Sequence, residues 1–163
     1  MKKLLCLVLL VAACAKEKPS APPTPAAKYA GTWEGRSFQS PTDTGVTWTT
    51  TMSVGTDGKL SGSLTFTGTN VPPVPIQTLE LTDSTVLQDA GPYTSPTAKT
   101  EVVTRETGHI AGDSLWGTFV MLPTQGGVTA GLSAAEWNNY ETHPTKGAEP
   151  IRGTFVAKRK HSP

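Results

Sequence analysis

The segment VTWTTTMSVGTDGKLSGSLTF, residues 46–66, decides the fold of this chain. Residues 46–54 alternate between hydroxyl side chains at odd positions, from Thr47 to Ser53, and mainly apolar side chains at even positions. Residues 60–66 repeat the pattern, and a period of two residues is typical of a β-strand with one buried face. Asp57-Gly58 lies between the two runs and is a strong turn signal, so the segment predicts an antiparallel hairpin.

The same alternation recurs along the chain between turns that contain glycine and proline. It predicts further strands at residues 31–38, 74–81, 85–89, 100–106, 114–122 and 151–158. With the hairpin these make about eight strands, a number typical of small β-barrels. The sequence therefore predicts an all-β domain over residues 29–160, a small antiparallel up-and-down barrel. It leaves open whether the barrel closes or flattens into a sandwich.

Three of these strands share a central glycine with an apolar residue two positions away on each side. The glycines are Gly62, Gly117 and Gly153. Glycine weakens a strand interior and often marks a bend, so we interpret these positions as coiling points of a small barrel.

One segment interrupts the β pattern, in the long connection between the last two strands. Ser133 is followed three residues later by Glu136, a capping box that predicts a short helix over the residues that follow. Our hypothesis is that this helix plugs or covers one end of the barrel.

Residues 1–13 combine two lysines, an apolar run and small residues, the pattern of a processing signal. The apolar run is too short to cross a bilayer, which takes about 20 helical residues. Val11-Ala12-Ala13-Cys14 resembles the lipobox of bacterial lipoproteins. The resemblance implies cleavage before Cys14, lipidation of its sulfur and attachment to a membrane. Since no Asp follows Cys14, it also implies the periplasmic face of the outer membrane. An ordinary secretory signal is the alternative.

Residues 14–28 form the predicted tether between the lipid and the domain. Residues 15–28 contain four prolines and no large apolar side chain. Such a stretch can bury little and favours an extended, polyproline-like spacer.

Charge and cysteine content exclude several classes of function. Without Lys2 and Lys3 of the leader, the 14 Lys and Arg residues become 12, against 13 Asp and Glu. This balance gives no electrostatic basis for binding nucleic acid. Cys6 leaves with the leader and Cys14 carries lipid, so no thiol remains for a disulfide, a metal or a nucleophile.

The chain carries none of the familiar catalytic, metal-binding or phosphate-binding motifs, and we predict no enzymatic activity, no metal and no cofactor. His109 and Asp113 could form a histidine–carboxylate pair of the kind used in catalysis. Residues 106–113, however, look like turn residues beside a strand. Glu34, Glu80 and Glu101 occupy strand positions at which a barrel mouth could hold a carboxylate, or simply exposed strand faces.

Gly31-Thr32-Trp33 resembles the G-x-W motif that opens lipocalins and related barrels. The resemblance implies that Trp33 closes one end of the barrel and that the interior binds a small ligand. The candidate ligand-binding residues are aromatic: Trp33, Trp48, Phe66 and Trp116. Core packing is the competing interpretation for Trp48 and Phe66. Trp116 lies on the face opposite Leu115 and Phe119, which favours a surface or mouth contact.

These observations predict a lipid-anchored protein of the cell envelope that binds a small apolar ligand or a lipid in a β-barrel, without catalysis. The alternative is an interaction module that binds an envelope protein or the cell wall, through a sheet edge or the loop at 123–150. The sequence does not identify a protein partner.

Overall fold

A computed structural model describes residues 24–161. The predicted leader, Cys14 and most of the predicted tether lie outside these residues. The eight strands are β1 (Gly31–Phe38), β2 (Val46–Val54), β3 (Leu60–Phe66), β4 (Val74–Leu81), β5 (Thr85–Thr94), β6 (Glu101–Ala111), β7 (Ser114–Pro123) and β8 (Ile151–Lys160). The helices are α1 (Pro25–Tyr29) and α2 (Ala134–Thr142). Neither of these two described helices is long and apolar enough to cross a membrane.

Each strand pairs antiparallel with the next, and β1 also pairs with β8. The sheet is therefore a closed barrel, which confirms the predicted all-β, up-and-down architecture with one short helix, α2, in the last long connection. Closure also decides between the barrel and the sandwich.

Strands β7 and β8 end at Pro123 and Lys160, within two residues of their predicted ends, while β5 and β6 extend well beyond theirs. β5 continues to Thr94 through a bulge that contains the cis peptide bond Gly91-Pro92. β6 continues to Ala111, so the interpretation of residues 106–113 as turn residues was wrong for all but Gly112 and Asp113. Hydrogen-bonded pairing with β5 and β7 holds this region in the sheet in spite of its weak strand propensity.

Helix α1 packs against one end of the barrel, which we name the closed end; it is where β1 begins and β8 ends. Trp33 is 1% exposed there, and its indole Nε1 donates a hydrogen bond of 3.0 Å to the carbonyl of Tyr29. The Arg159 guanidinium lies 4.3 Å above the Trp33 ring and donates to the carbonyls of Lys28 and Ala30. Trp33 and Arg159 thus close this end of the barrel.

Helix α1 begins inside the segment predicted as an extended tether. Thr24 caps it by accepting a hydrogen bond from the Ala27 amide, and Pro25 is pre-organised for the first helical turn. Ala26 and Tyr29 are three residues apart, lie on one helical face and are buried in the barrel core. The folded region therefore starts before Tyr29, the predicted boundary.

The three central glycines lie where neighbouring backbone comes closest. A Cβ atom on Gly117 would stand 2.0 Å from the carbonyl oxygen of Thr107 on β6. Gly62 and Gly153 face similar backbone contacts, at 2.3 and 2.2 Å. The absence of a side chain at these positions lets adjacent strands coil tightly, as a small barrel requires.

Helix α2 lies on the outer wall of the barrel, and the hypothesis that it covers one end was wrong. Its Trp137 packs with Val103 of β6, Leu122 of β7 and Val128, a second core separate from the barrel interior. Trp137 is the only buried residue of this helix, so one large side chain holds α2 against the sheet.

A buried ion pair holds the β7–β8 connection, which contains α2, against the outer wall of the barrel. Asp89 is 0% exposed and accepts hydrogen bonds of 2.7 and 2.9 Å from the Arg105 guanidinium. Asp89 also accepts from the Gly131 amide at 2.8 Å, and Arg105 donates to the Leu132 carbonyl at 2.7 Å. The Arg105 guanidinium lies 4.3 Å from the Trp137 ring centre. The contacts with Gly131, Leu132 and Trp137 join the outer wall to the β7–β8 connection.

We predict that Asp89→Asn lowers the free energy of unfolding by about 3–5 kcal/mol, because it leaves the Arg105 charge buried without its partner. Asp83→Asn is the matched control, since Asp83 forms an exposed pair with Lys28 and surface pairs contribute little. Urea unfolding followed by tryptophan fluorescence measures both. Equal effects of the two substitutions would show that the buried pair does not hold the connection in place.

Candidate functional site

The barrel opens at the end opposite α1 into what we name the mouth cavity. Its free volume is about 40 Å³. A cavity needs about 10–15 Å³ of such free volume to hold one water molecule, so the mouth cavity has room for roughly three. It is open at the top, where the loops before β2 and after β5 surround it. The lining residues are Ser37, Gln39, Asp43, Val46, Trp48, Leu64, Phe66, Tyr93, Ser95, Pro96, Thr97, Thr104, Glu106, Phe119 and Met121.

Four aromatic rings contribute to the cavity wall, those of Trp48, Phe66, Tyr93 and Phe119. Trp48 packs edge-on to Phe155 with ring centres 6.2 Å apart, and Phe66 lies 5.3 Å from Tyr93. The indole Nε1 of Trp48 donates a hydrogen bond of 2.8 Å to the Ser37 hydroxyl. These rings are fixed by the core and present rigid apolar surface to whatever enters the mouth.

The hydroxyl groups of Tyr93 and Thr104 form a polar contact beside these rings. The Tyr93 hydroxyl lies 2.7 Å from Thr104 Oγ1 and 3.7 Å from the sulfur of Met121. Burial raises the pKa of Tyr93 to about 12. Tyr93 therefore keeps its proton at neutral pH and can serve as a hydrogen-bond donor.

Glu106 is the carboxylate on the inner face of β6. Gln88, its cross-strand neighbour on β5, donates a hydrogen bond of 2.7 Å from Nε2 to Oε2 of Glu106. Burial raises the pKa of the Glu106 carboxyl; the Gln88 hydrogen bond opposes this rise and the nearby Asp89 carboxylate adds to it. An acid is therefore held partly desolvated inside the barrel.

Asp43 supplies a second carboxylate at the rim. Its oxygens accept hydrogen bonds from the backbone amides of Gln39 and Gly45, at 3.0 and 2.9 Å, and these lower its pKa. Asp43 is therefore ionised at neutral pH and makes the rim negative.

The structure separates the four candidate ligand-binding residues. Trp48 and Phe66 line the mouth cavity. Trp33 lies at the closed end, and Trp116 is 43% exposed on the outer wall, where its ring stacks on His109. Only two of the four thus share a site.

The other candidate acids and bases do not form a site in the described residues. His109 faces outward on β6, while Asp113 binds Arg159 at 3.3 Å and His161 at 3.0 Å. Exposed outer positions hold the carboxylates considered for the mouth, which are Glu34, Glu80 and Glu101. Residues 24–161 contain no group of three or more His, Cys, Asp or Glu side chains placed to hold a metal ion.

Sequence reasoning missed Glu106 and Tyr93. The signal for Glu106 was its position two residues after Thr104 and four after Val102, on the same face of β6. Val103 is also buried, however, by the α2 connection, so the pattern of apolar residues did not show which face of β6 points inward. Tyr93 follows Pro92, and a proline after a strand pattern indicates that the strand has ended.

Comparison with protein-family models, curated proteins and solved structures found no match for this chain.

We predict that Glu106→Gln stabilises the fold near neutral pH. Because the carboxyl pKa is raised in the folded state, the native protein holds its proton where the unfolded chain has lost it. Stability therefore falls as pH rises from the ordinary carboxyl range through the raised pKa. An amide at this position still accepts from Gln88 but has no charge to desolvate.

The measurement is the urea midpoint of both proteins across the acid to neutral range. The advantage of the variant should be present at neutral pH and vanish below the ordinary carboxyl range. Glu80→Gln, an exposed site of the same charge change, should show no such pH dependence. A constant difference at all pH values for Glu106→Gln would mean that its carboxyl is not desolvated.

Proposed function

We propose that this protein is a lipid-anchored, non-catalytic binding protein of the cell envelope that holds a small, mainly apolar ligand in its mouth cavity. The observation that carries the proposal is the cavity itself, an opening among fixed aromatic and aliphatic side chains with a few polar groups converging on it. Small-molecule sites in proteins have this composition.

The filled lower half of the barrel favours a short ligand over a long acyl chain. Below the cavity, buried side chains occupy the interior from Leu64 down to Trp33 and Met52. A ligand that enters the mouth therefore meets packed core after a few non-hydrogen atoms. The remainder of a larger ligand would extend through the open top.

The anchor and the mouth are placed at opposite ends in this proposal. The described chain begins with α1 at the closed end. A lipid on Cys14 would therefore hold the closed end towards the membrane and leave the mouth facing away from it. This orientation suits a protein that takes up its ligand from the surrounding aqueous space.

We predict that Cys14→Ser abolishes incorporation of labelled palmitate and releases the chain from the membrane fraction. Cys6→Ser is the matched control, because cleavage before Cys14 removes Cys6, and it should keep the label. Palmitate on the Cys14→Ser protein, or none on the unaltered chain, would refute the lipid anchor.

The second candidate function, an interaction module, is favoured by an exposed apolar patch. Trp116 pairs in register with His109 on one side and Val156 on the other, and Val156 is 54% exposed. These three side chains lie on the outer wall of β6, β7 and β8, away from the mouth cavity. Loss of a cross-linked partner on Trp116→Ser would support this role.

We predict that native mass spectrometry of the chain, extracted from its own envelope in dodecyl maltoside, detects a small non-covalent adduct. Val46→Phe should abolish the adduct, because Val46 lines the cavity and a phenyl ring there fills its opening. Thr47→Phe, one residue along on the outer face, should retain it. A bare mass, or an adduct that survives Val46→Phe, would argue against ligand binding in the mouth.

A further inference from the structure

The Glu106 carboxylate faces the mouth cavity with a single polar side-chain partner. That partner, Gln88, binds only Oε2, and the described residues give Oε1 no hydrogen bond. Glu106 is nonetheless part of the cavity lining. One carboxylate oxygen is therefore available to a group that enters from the mouth.

The cavity contains negative charge and no positive side chain. Among its lining residues Glu106 and Asp43 are acidic, and none is Lys, Arg or His. The buried Arg105 and the partly buried Arg159 are engaged elsewhere, Arg105 on the outer wall with Asp89 and Arg159 at the closed end over Trp33. An incoming cation would meet attraction from both carboxylates and repulsion from no lining residue.

The fold itself gives no reason for a charge at this position. A glutamine would accept the same hydrogen bond from Gln88 and occupy nearly the same volume. A carboxylate held partly away from water, with no cation beside it, destabilises the native state. Residues that weaken a fold in this way are characteristic of sites where a ligand supplies the missing partner.

The aromatic wall narrows the chemistry of that partner to an organic cation. Trp48, Phe66 and Tyr93 offer ring surface to an apolar body, and aromatic faces also attract ammonium groups. A bare metal ion takes several converging ligands, and the described residues bring no three His, Cys, Asp or Glu side chains together here. A short alkyl chain with a terminal ammonium group satisfies both the rings and Glu106.

We infer that the mouth cavity binds small organic cations of the primary alkylamine class, with Glu106 as the counter-ion of the ammonium group. This inference rests on the proposed function, since it identifies the ligand class of the same cavity. Asp43 at the rim adds to the attraction, and the aromatic wall contacts the alkyl chain.

The tryptophans provide both the reporter and its internal controls. Trp48 lines the cavity and its indole N–H is bonded to Ser37. Trp33 lies at the closed end, Trp116 on the outer wall, and Trp137 on the face of α2 that packs against the barrel. Four indole N–H signals in a nitrogen-15 spectrum therefore sample four places, and Trp48→Phe assigns the one that matters.

The experiment titrates the full-length chain, in dodecyl maltoside, with butylamine hydrochloride, 1-butanol, sodium butanoate and, as a salt control, sodium chloride. We expect butylamine to shift the Trp48 signal saturably and leave the Trp33 signal in place. Glu106→Gln should weaken butylamine binding at least about 10-fold, as expected for loss of a hydrogen bond to a charged group. Glu80→Gln should leave the affinity unchanged.

Three outcomes would overturn the inference, and they separate it from the proposed function. Equal binding of butylamine and butanol, unaffected by Glu106→Gln, would refute the amine class but keep a small-ligand cavity. Preferential binding of butanoate would do the same. No saturable shift of Trp48 with any of the three probes would count against both the inference and the proposed function.

Discussion

The buried pair between Asp89 and Arg105 is the contact on which the outer and inner architecture both depend. The two residues are direct cross-strand neighbours on β5 and β6, on the outer wall. The next pair along the same strands, Gln88 and Glu106, points inward. A slip of one residue in this register would exchange the two faces and bring Arg105 into the barrel. Fixing the outer pair thus places the Glu106 carboxylate at the mouth cavity.

Because the sheet closes into a barrel, the position of Glu106 along the barrel axis determines what surrounds its carboxylate. An eight-stranded barrel is just wide enough for its side chains to fill it. Here the lower half is filled and is sealed by Trp33 and Arg159. The upper half stays open, and only there can a polar group meet a ligand. The fold therefore separates a closed, packed end from an open end along one axis.

The outer wall carries a second core, which explains the long β7–β8 connection. Trp137 and Val128 cover Val103 and Leu122, and Arg105 lies against the Trp137 ring. Covering this wall leaves β6 buried on both faces near the mouth. The arrangement stiffens the strand that bears Glu106 without closing the cavity above it.

The strands and their barrel topology were predictable from residues 46–66 and from the segments with the same pattern. A strand with one buried face alternates apolar and polar side chains, and this alternation is visible in the sequence. The bounds of β1, β2 and β4 match the predicted bounds. The site was less accessible to such reasoning. Val102 and Val103 are both buried, so alternation could not say which face of β6 points inward. Nor could it distinguish Trp48 in the cavity from Trp33 at the closed end, since both lie on apolar faces.

The most direct test of a desolvated, ligand-accessible carboxylate is a carbon-13 NMR titration of the Glu106 side-chain carboxyl, with and without butylamine. Asp43, Asp89 and Tyr93 are its ionisable neighbours, and Glu106→Gln identifies the signal. The titration midpoint should lie above the ordinary glutamate range in the free protein and fall when the amine is present. A midpoint in the ordinary range that the amine does not move would contradict the assignment of Glu106 as the binding group.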